Sequence, residues 1–329
     1  MTLVLGHITA LEYWLSPPGK PSASIVSSSF ELPSKAAHAS DLANLDALLP
    51  HMFSLPIHAT TSVAVKNEKP DLVIHHLHST RSSARSFYRI GNNLYICSVE
   101  LAFEQVANSL ALLNLIRLGY ELCGTYSLSE RSKGGFFKRK QLTTPRKLQT
   151  FLEDSIRAHG RKNALRALRY VLPNSASPAE TRLAMLLSLP CNLGGFGLPR
   201  PALNHRLNLT PSERMIAGRG FVKCDLYWES GKLGIEYDSD MEHTGSARIA
   251  SDAARRGALA FANTTVITVT RMQYNNLSQM TTIAKELAKL LGTQFRPRCR
   301  DYGVKQRVLR DLLYRSPEWE ERKRLHPLS

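Results

Sequence analysis

KCDLYWESGKLGIEYDSDMEH, residues 223–243, alternates apolar and polar side chains in two runs separated by a short polar turn. The apolar members of the two runs are Val222, Cys224, Leu226 and Trp228, then Leu233, Ile235 and Tyr237. A period of two predicts a strand with one apolar face in each run. The connection Glu229–Lys232 is short enough to join the two strands as a hairpin.

The polar face of this hairpin carries four charged residues. If the turn is centred between Ser230 and Gly231, Asp225 faces Glu236 and Lys223 faces Asp238. Like charges directly opposite each other destabilise a sheet, so three clustered carboxylates favour a bound cation, and oxygen ligands suit Mg²⁺ or Mn²⁺. The alternative is a solvated face on which Lys223 and Asp238 form an ordinary ion pair.

The sequence before the hairpin contains a helix start. Ser177-Pro178-Ala179-Glu180 has the pattern of a capping box with proline at the first helical position. The helix has leucines at helical spacing, and we expect it to pack on the sheet. Capping alone accounts for Glu180, so its functional role stays open on local evidence. From residue 178 to about 294 the pattern predicts helix, three strands, helix, strand and helix.

Residues 177–270 contain several short motifs in a characteristic order. They are Glu180-Thr181-Arg182-Leu183, Asp225-Leu226-Tyr227-Trp228, Glu236-Tyr237-Asp238-Ser239, His243, Asp252 with Arg255-Arg256, and Val266–Thr270. In order and spacing this segment resembles the restriction-endonuclease-like superfamily, the PD-(D/E)xK nucleases. Within it, the segment is similar to the branch related to the very-short-patch repair endonuclease. The resemblance implies an α/β (α+β) fold with a mixed sheet flanked by helices.

The resemblance also implies a site that hydrolyses phosphodiester bonds with a divalent cation. Asp225, Glu236 and Asp238 would hold Mg²⁺ or Mn²⁺, with Glu180 beside them, and His243 would act as general acid or base. The alternative for His243 is an exposed loop histidine. The side chains expected to contact phosphate here are Lys223, Arg182, Arg255 and Arg256, although the arginines could equally be surface charges.

Two positions depart from the pattern of the superfamily. Ser239 replaces the usual glycine after E-x-D, and Asp238 replaces the lysine that orients water and offsets charge. Lys223, Arg255 or Arg256 could substitute for that lysine, and the sequence does not choose among them. A relative that has lost catalysis and kept nucleic-acid binding is the alternative to an active enzyme.

The charge balance favours a polyanionic partner. The 329 residues include 43 Lys and Arg against 27 Asp and Glu, which gives a formal net charge of +16. Much of the excess lies in residues 131–170, where Lys138, Arg139 and Lys140 begin a basic run and the only acids are Glu153 and Asp154. Pro145–Leu172 is typical of one or two basic amphipathic helices. They form either a phosphate-tracking surface or a solvated connector.

The N-terminal segment reads as a separate α/β module. Strands are predicted at Val63–Val65, Leu72–His78 and Leu94–Ser98, followed by a helix over Val99–Tyr120 that Ser98 caps. Asp71–His78 with Asn93–Gln105 (within it LYICSVELAFEQ) resembles AbiEi-type antitoxin and regulator proteins, which implies phage defence or a toxin–antitoxin system. In His75-His76-x-His78, no nearby cysteine or carboxylate completes a ligand set. We therefore expect these histidines to have a structural or surface role.

These observations divide the chain into four parts: an N-terminal module (1–130), a basic connector (131–175), a nuclease domain (176–294) and a basic tail (295–329). The predicted function is metal-dependent endonucleolytic cleavage of nucleic acid, with DNA favoured over RNA. The alternative from another class is a non-catalytic DNA-binding regulator with a degenerate nuclease fold. A homodimer is left open.

The sequence also indicates a cellular compartment. Five scattered cysteines without a CxxC pair fit a reducing cytoplasm. The N-terminus lacks the basic region of a secretory signal, and no apolar run is long enough to span a membrane. We therefore expect a cytoplasmic protein with no membrane partner.

Overall fold

The computed structural model describes residues 2–26, 30–50, 52–78, 86–155, 158–218, 220–238 and 264–315. The chain divides into two units, residues 1–171 with 315–329 and residues 172–314. Each unit combines a mixed sheet with flanking helices, which confirms the predicted α+β class. The boundary between the two units at residues 171 and 172 lies immediately before the turn-rich segment Pro173–Pro178.

The first unit is built on a sheet whose described strands follow the order β2-β5-β6-β1-β3-β4. Their bounds are β1 Leu3–Leu5, β2 Ser24–Ile25, β3 Ile57–Thr61, β4 Val73–Leu77, β5 Phe87–Gly91 and β6 Leu94–Cys97. β1 runs parallel to β6 and antiparallel to β3, and β3 runs parallel to β4. This pairing brings the end of β1 next to the start of β3.

Helices and a small hairpin complete the first unit. The helices are α1 His7–Leu15, α2 Ala39–Leu48, α3 Val99–Val106, α4 Leu112–Leu122, α5 Pro145–Asp154 and α6 Arg161–Leu168, and the hairpin strands are β7 Tyr126–Leu128 and β8 Phe136–Lys138. α1 and α3 pack against each other, and their apolar side chains are buried. Burial of these faces is the main source of stability for such short helices.

Two predicted elements of this unit differ in the structure. Val63–Val65 is not a strand, because the strand that pairs with β4 ends at Thr61, whose hydroxyl then donates to the Val63 carbonyl. The predicted helix Val99–Tyr120 starts at its Ser98 cap, but it is divided into α3 and α4. Asn108 and Ser109 lie in the interruption, where their side chains make contacts outside the helix.

The basic segment that follows belongs to the first unit. α5 and α6 pack against each other and against α3 and α4, and Leu148, Leu152 and Ala164 are fully buried. The two helices were predicted, but residues 131–171 are integral to the first unit and not a separate connector. Single helices of this length are not stable alone, and the packing of their apolar faces against the first unit stabilises them.

The second unit contains the predicted hairpin. Its elements are α7 Pro178–Ser188, β9 Ala202–Asn208, α8 Pro211–Ala217, β10 Phe221–Trp228, β11 Leu233–Asp238, β12 Thr265–Thr270, α9 Arg271–Asn275, α10 Leu277–Leu290 and α11 Tyr302–Tyr314. The sheet has the order β12-β11-β10-β9, in which β12 is parallel to β11 and the other pairs are antiparallel. The helix predicted between β11 and β12 lies outside the described residues.

The C-terminal part of the second unit also differs from the prediction. α11 matches the predicted tail helix Val304–Tyr314 to within two residues at its start. Its Leu309 and Leu313 are fully buried, so residues 295–314 are part of the second unit and not a separate tail. None of the described helices combines the length and apolar character needed to cross a bilayer.

Candidate functional site

The hairpin has the predicted register. Trp228 pairs with Leu233, Tyr227 with Gly234 and Leu226 with Ile235. Continuing both strands by one residue places Asp225 beside Glu236, and continuing by three places Lys223 beside Asp238. The short helical turn Glu229–Gly231 and the left-handed Lys232 close the hairpin and set this register.

Asp225 is held by the neighbouring strand. Its Oδ2 accepts a hydrogen bond of 2.8 Å from the backbone N–H of Tyr237. This contact lies just beyond the last backbone pair, Leu226 with Ile235. The carboxylate is therefore fixed by main chain next to Glu236, and both side chains are half-buried.

Glu180 joins the hairpin from the first turn of α7. Ser177 caps that helix as predicted, since its Oγ accepts from the Glu180 N–H at 3.2 Å. The Glu180 carboxylate accepts hydrogen bonds from the Ala176 N–H at 2.8 Å and from the Ser177 hydroxyl at 3.1 Å. The start of the helix thus holds the carboxylate in one orientation.

The charge of Asp225 acts on Glu180. The pKa of Glu180 is raised to about 7. Burial is the main cause, and the nearby negative charge of Asp225 raises the pKa further. Glu180 is only 8% exposed. Two carboxylates on different elements therefore share a poorly solvated space, which is an arrangement that a cation stabilises.

Asn204 on β9 completes the group, and sequence reasoning missed it. Its Nδ2 donates to Glu180 Oε2 at 2.5 Å and to the Asn174 carbonyl at 2.9 Å. The pairs Leu203–Leu226 and His205–Cys224 on either side place it next to Asp225. Its backbone is left-handed, with φ of 49°, a conformation that asparagine tolerates. No sequence pattern predicted that Asn204 would contact Glu180.

Lys223 and Asp238 flank the acidic group. Lys223 is exposed and pairs with Arg206 of β9, which is exposed as well. The Arg206 guanidinium lies 3.9 Å from the centre of the Phe221 ring. Asp238 is half-buried at the end of β11 and pairs with Thr270 of β12. A basic pair thus adjoins the carboxylates along the strands.

Arg182, predicted to contact phosphate, lies in a different environment. Its guanidinium is 6.0 Å from the ring centre of Tyr314. Burial raises the pKa of Tyr237, and the Arg182 charge opposes that effect. It therefore packs among tyrosines, on the side of α7 away from Glu180. Two residues along a helix are about 200° apart, which explains the separation.

Arg139, also predicted to contact nucleic acid, has a structural role. Its guanidinium donates to Ser127 Oγ and to the carbonyls of Gly124, Lys140 and Glu121. These four contacts tie the β7–β8 hairpin to the end of α4. Lys138 and Lys140 on either side are exposed, as the prediction requires.

The remaining predicted site residues, His243, Arg255 and Arg256, lie outside the described residues, as do Ser239 and Asp252. The structure thus places Asp225 near Glu180, Glu236 beside Asp225 across the hairpin, and Asn204 against Glu180, with Lys223 and Asp238 further along the strands. Neither Arg182 nor Arg139 is part of this group.

Comparison with protein-family models, with curated proteins and with solved structures finds no match to this chain. Its function is therefore inferred from its own residues. The acidic group of Glu180, Asp225 and Glu236, together with Asn204, is the strongest candidate for chemistry in the second unit.

Proposed function

We propose that the second unit is a metal-dependent endonuclease that hydrolyses phosphodiester bonds, with DNA favoured over RNA. The observation that carries this proposal is the proximity of Glu180 on α7 to Asp225 on the central hairpin, where the register makes Glu236 the cross-strand neighbour of Asp225. The order of the described elements, a helix bearing Glu180 and then a sheet bearing Asp225 and Glu236, supports the resemblance to the PD-(D/E)xK nucleases.

The donor set fits a hard divalent cation. The carboxylate oxygens of Asp225, Glu236 and Glu180 and the amide oxygen of Asn204 are ligand types that Mg²⁺ and Mn²⁺ prefer. Burial and the nearby charge of Asp225 raise the pKa of Glu180 to about 7, which is the effect expected of two carboxylates in a poorly solvated space. Asp238, at the end of β11, would be a further oxygen ligand.

The chain itself would bind and orient the substrate. A cation held here would act as a Lewis acid on the phosphate and lower the pKa of a bound water. Asp225, fixed by the Tyr237 N–H, keeps its carboxylate in place before substrate arrives. Lys223 and Arg206, exposed and adjacent, would hold phosphate oxygens on either side of the cleaved bond.

The exposed basic residues of the first unit would add affinity for the nucleic-acid backbone. On α5 and α6, Arg146, Lys147, Lys162 and Arg166 are exposed, whereas the apolar face is buried. Such contacts carry no sequence information and weaken as salt is added. A role in phage defence or in a toxin–antitoxin system, implied by the N-terminal resemblance, is part of this proposal.

Cleavage of supercoiled plasmid tests the proposal. Wild type should nick or linearise plasmid with Mg²⁺ or Mn²⁺ and should be inactive in EDTA. Asp225→Asn and Glu236→Gln should each lower the rate at least about 100-fold. Glu229→Gln, which alters an exposed carboxylate in the turn of the same hairpin, is the matched control and should cleave normally.

A second candidate is a non-catalytic DNA-binding regulator. Asp238 favours it, because a carboxylate stands where the superfamily has a lysine that offsets negative charge. This candidate predicts gel-shift binding of DNA with no cleavage under any divalent metal. It also predicts that Asp225→Asn leaves binding unchanged, so the same variants separate the two functions.

A further inference from the structure

Three histidines from separate strands and a helix meet in the first unit. His7 begins α1 directly after β1, His58 lies on β3, and His76 lies on β4. One ring nitrogen from each histidine lies within 4.8 Å of the other two. The members of this His7–His58–His76 cluster are spaced irregularly along the chain, so no single sequence motif contains all three.

The sheet topology creates the cluster. β1 is antiparallel to β3, and the Gly6 N–H donates to the His58 carbonyl at 2.8 Å. β3 is parallel to β4, with His58 opposite Ile74 and Thr60 opposite His76. His58 and His76 are therefore diagonal neighbours on one face, and their rings reach each other. Nδ1 of His58 lies 2.6 Å from Nε2 of His76.

The start of α1 is shaped to place His7 in this group. His7 has a left-handed backbone with φ of 52°, an unusual conformation for a residue with a side chain. Gly6 before it leaves no room for a Cβ, which would lie 2.2 Å from the Thr60 hydroxyl. The His7 N–H donates to Gln105 Oε1 at 2.7 Å, and Ser109 Oγ lies 3.0 Å from His7 Nε2.

We propose that His7, His58 and His76 bind a divalent transition-metal ion of the zinc type. Imidazole is a preferred ligand of Zn²⁺, and three histidines form known zinc sites whose fourth position is open to water. Zinc bonds imidazole nitrogen at about 2.1 Å, so nitrogens on one ion lie roughly 3–4 Å apart. The three rings lie nearly parallel, with interplanar angles of 6° to 13°, and the closest nitrogens are 2.6 Å apart, so binding an ion requires the rings to turn as well as small shifts of the nitrogens.

The surroundings support this assignment. A hydrogen bond from one ring nitrogen to a neighbouring group is the usual way to orient a metal-binding histidine, and Ser109 provides it for His7.

A cavity provides an approach for the ion. It has a volume of about 300 Å³ and is lined in part by His76, Glu104, Gln105, Asn108 and His159. Burial raises the pKa of Glu104 in its wall to about 7. The cavity has room for a water molecule at the fourth position of the metal. This site is independent of the acidic group of the second unit and uses a different class of ligand.

Zinc binding by the full-length protein tests the proposal. The protein is stripped with a chelator and titrated with Zn²⁺, and with Co²⁺ as a spectroscopic probe. We expect one ion per chain at this site, visible ligand-field absorption of Co²⁺, and a rise in Tm on adding Zn²⁺. His7→Asn, His58→Gln and His76→Gln should each weaken binding at least about tenfold. Asparagine is chosen at position 7 because it tolerates the left-handed backbone.

Matched controls separate this site from other causes. His75→Gln, next to His76 on the same strand, and His159→Gln, in the wall of the cavity, should bind Zn²⁺ like wild type. Asp225→Asn should do so as well, whatever its effect on cleavage. Circular dichroism identifies any variant that fails to fold. The Co²⁺ spectrum of the folded variants then shows which histidines bind the metal. Absence of Zn²⁺ binding by wild type, or equal affinity in folded His76→Gln and His58→Gln, would overturn the proposal.

Discussion

The Asp225 carboxylate accepts a hydrogen bond from the backbone N–H of Tyr237, with 2.8 Å between Oδ2 and N. This bond joins β10 to β11 just past their last backbone pair and next to Glu236. A side chain that is held by main chain keeps its direction without a ligand. Asp225 thus stabilises the sheet and, in our proposal, binds the metal ion. Substitutions can separate these two roles.

Replacing Asp225 by asparagine or by alanine should have different effects on stability. Asparagine retains an oxygen for the Tyr237 N–H, so the free energy of unfolding should change little. Alanine leaves that N–H without the carboxylate and should cost about 1–2 kcal/mol. Both variants should lose metal-dependent plasmid cleavage. Urea unfolding and the plasmid assay measure the two effects, and full cleavage by Asp225→Asn would remove this residue from the chemistry.

Stability in EDTA should depend on pH through Glu180. Its pKa is raised in the folded protein from the ordinary value of 4.5 to about 7. The contribution of the protonated carboxyl is therefore fully present below about pH 4.5 and is lost as the pH rises through about 7. Relative to Glu180→Gln, wild type should lose on the order of 2 kcal/mol of unfolding free energy between pH 5 and 8.

Magnesium provides the control for the Glu180 experiment. A cation bound between the carboxylates stabilises their charged form, so Mg²⁺ should raise wild-type stability at pH 8 and should raise that of Glu180→Gln, which keeps Asp225 and Glu236, by less. Glu229→Gln should follow wild type at every pH. A constant difference between wild type and Glu180→Gln from pH 5 to 8 would contradict the shared desolvated space that we describe.

Arg139 should matter for stability more than for binding. Its guanidinium makes four hydrogen bonds around the β7–β8 hairpin, and a lysine has no planar fork with which to replace them. Arg139→Lys should cost about 2–4 kcal/mol of unfolding free energy. Lys138→Gln and Lys140→Gln, at exposed neighbouring positions, should change it by less than about 0.5 kcal/mol. Equal stability of all three variants would show that these contacts are not structural.

The exposed cations of α5 and α6 should set the salt dependence of DNA binding. Neutralising Arg146, Lys147, Lys162 and Arg166 to glutamine should weaken binding and lower the slope of log K against log salt by about 3–4. Lys66→Gln with Lys69→Gln, exposed in the β3–β4 connection, is the control and should leave the slope unchanged. Fluorescence anisotropy at several salt concentrations measures the affinity and the slope. Identical slopes in wild type and the α5–α6 variant would show that this surface does not contact DNA.

Local patterns were enough to predict the centre of the second unit. The turn Glu229–Lys232 sets the register of the hairpin, and a register fixes which side chains are neighbours. Ser177 could be identified as a cap because capping depends on a few adjacent residues. The same reasoning found α5, α6 and α11 from their amphipathic spacing.

Contacts between distant segments could not be predicted. Asn204 meets Glu180 only because β9 pairs with β10, and no spacing links those residues. His7 and His58 join His76 through the order of three strands. The sequence showed His76 only beside His75 and His78, where no nearby cysteine or carboxylate completes a ligand set. The interruption of Val99–Tyr120 at Asn108 and Ser109 likewise depends on contacts with His159 and His7.

Anomalous diffraction from crystals grown with Mn²⁺ tests the central claim most directly, because it locates the ion and does not depend on the choice of nucleic acid. We predict a Mn²⁺ peak in contact with the carboxylates of Asp225 and Glu236, and its loss in crystals of Asp225→Asn. No peak between these two carboxylates at saturating Mn²⁺ would contradict the account. A basic nucleic-acid-binding protein without this chemistry would then remain.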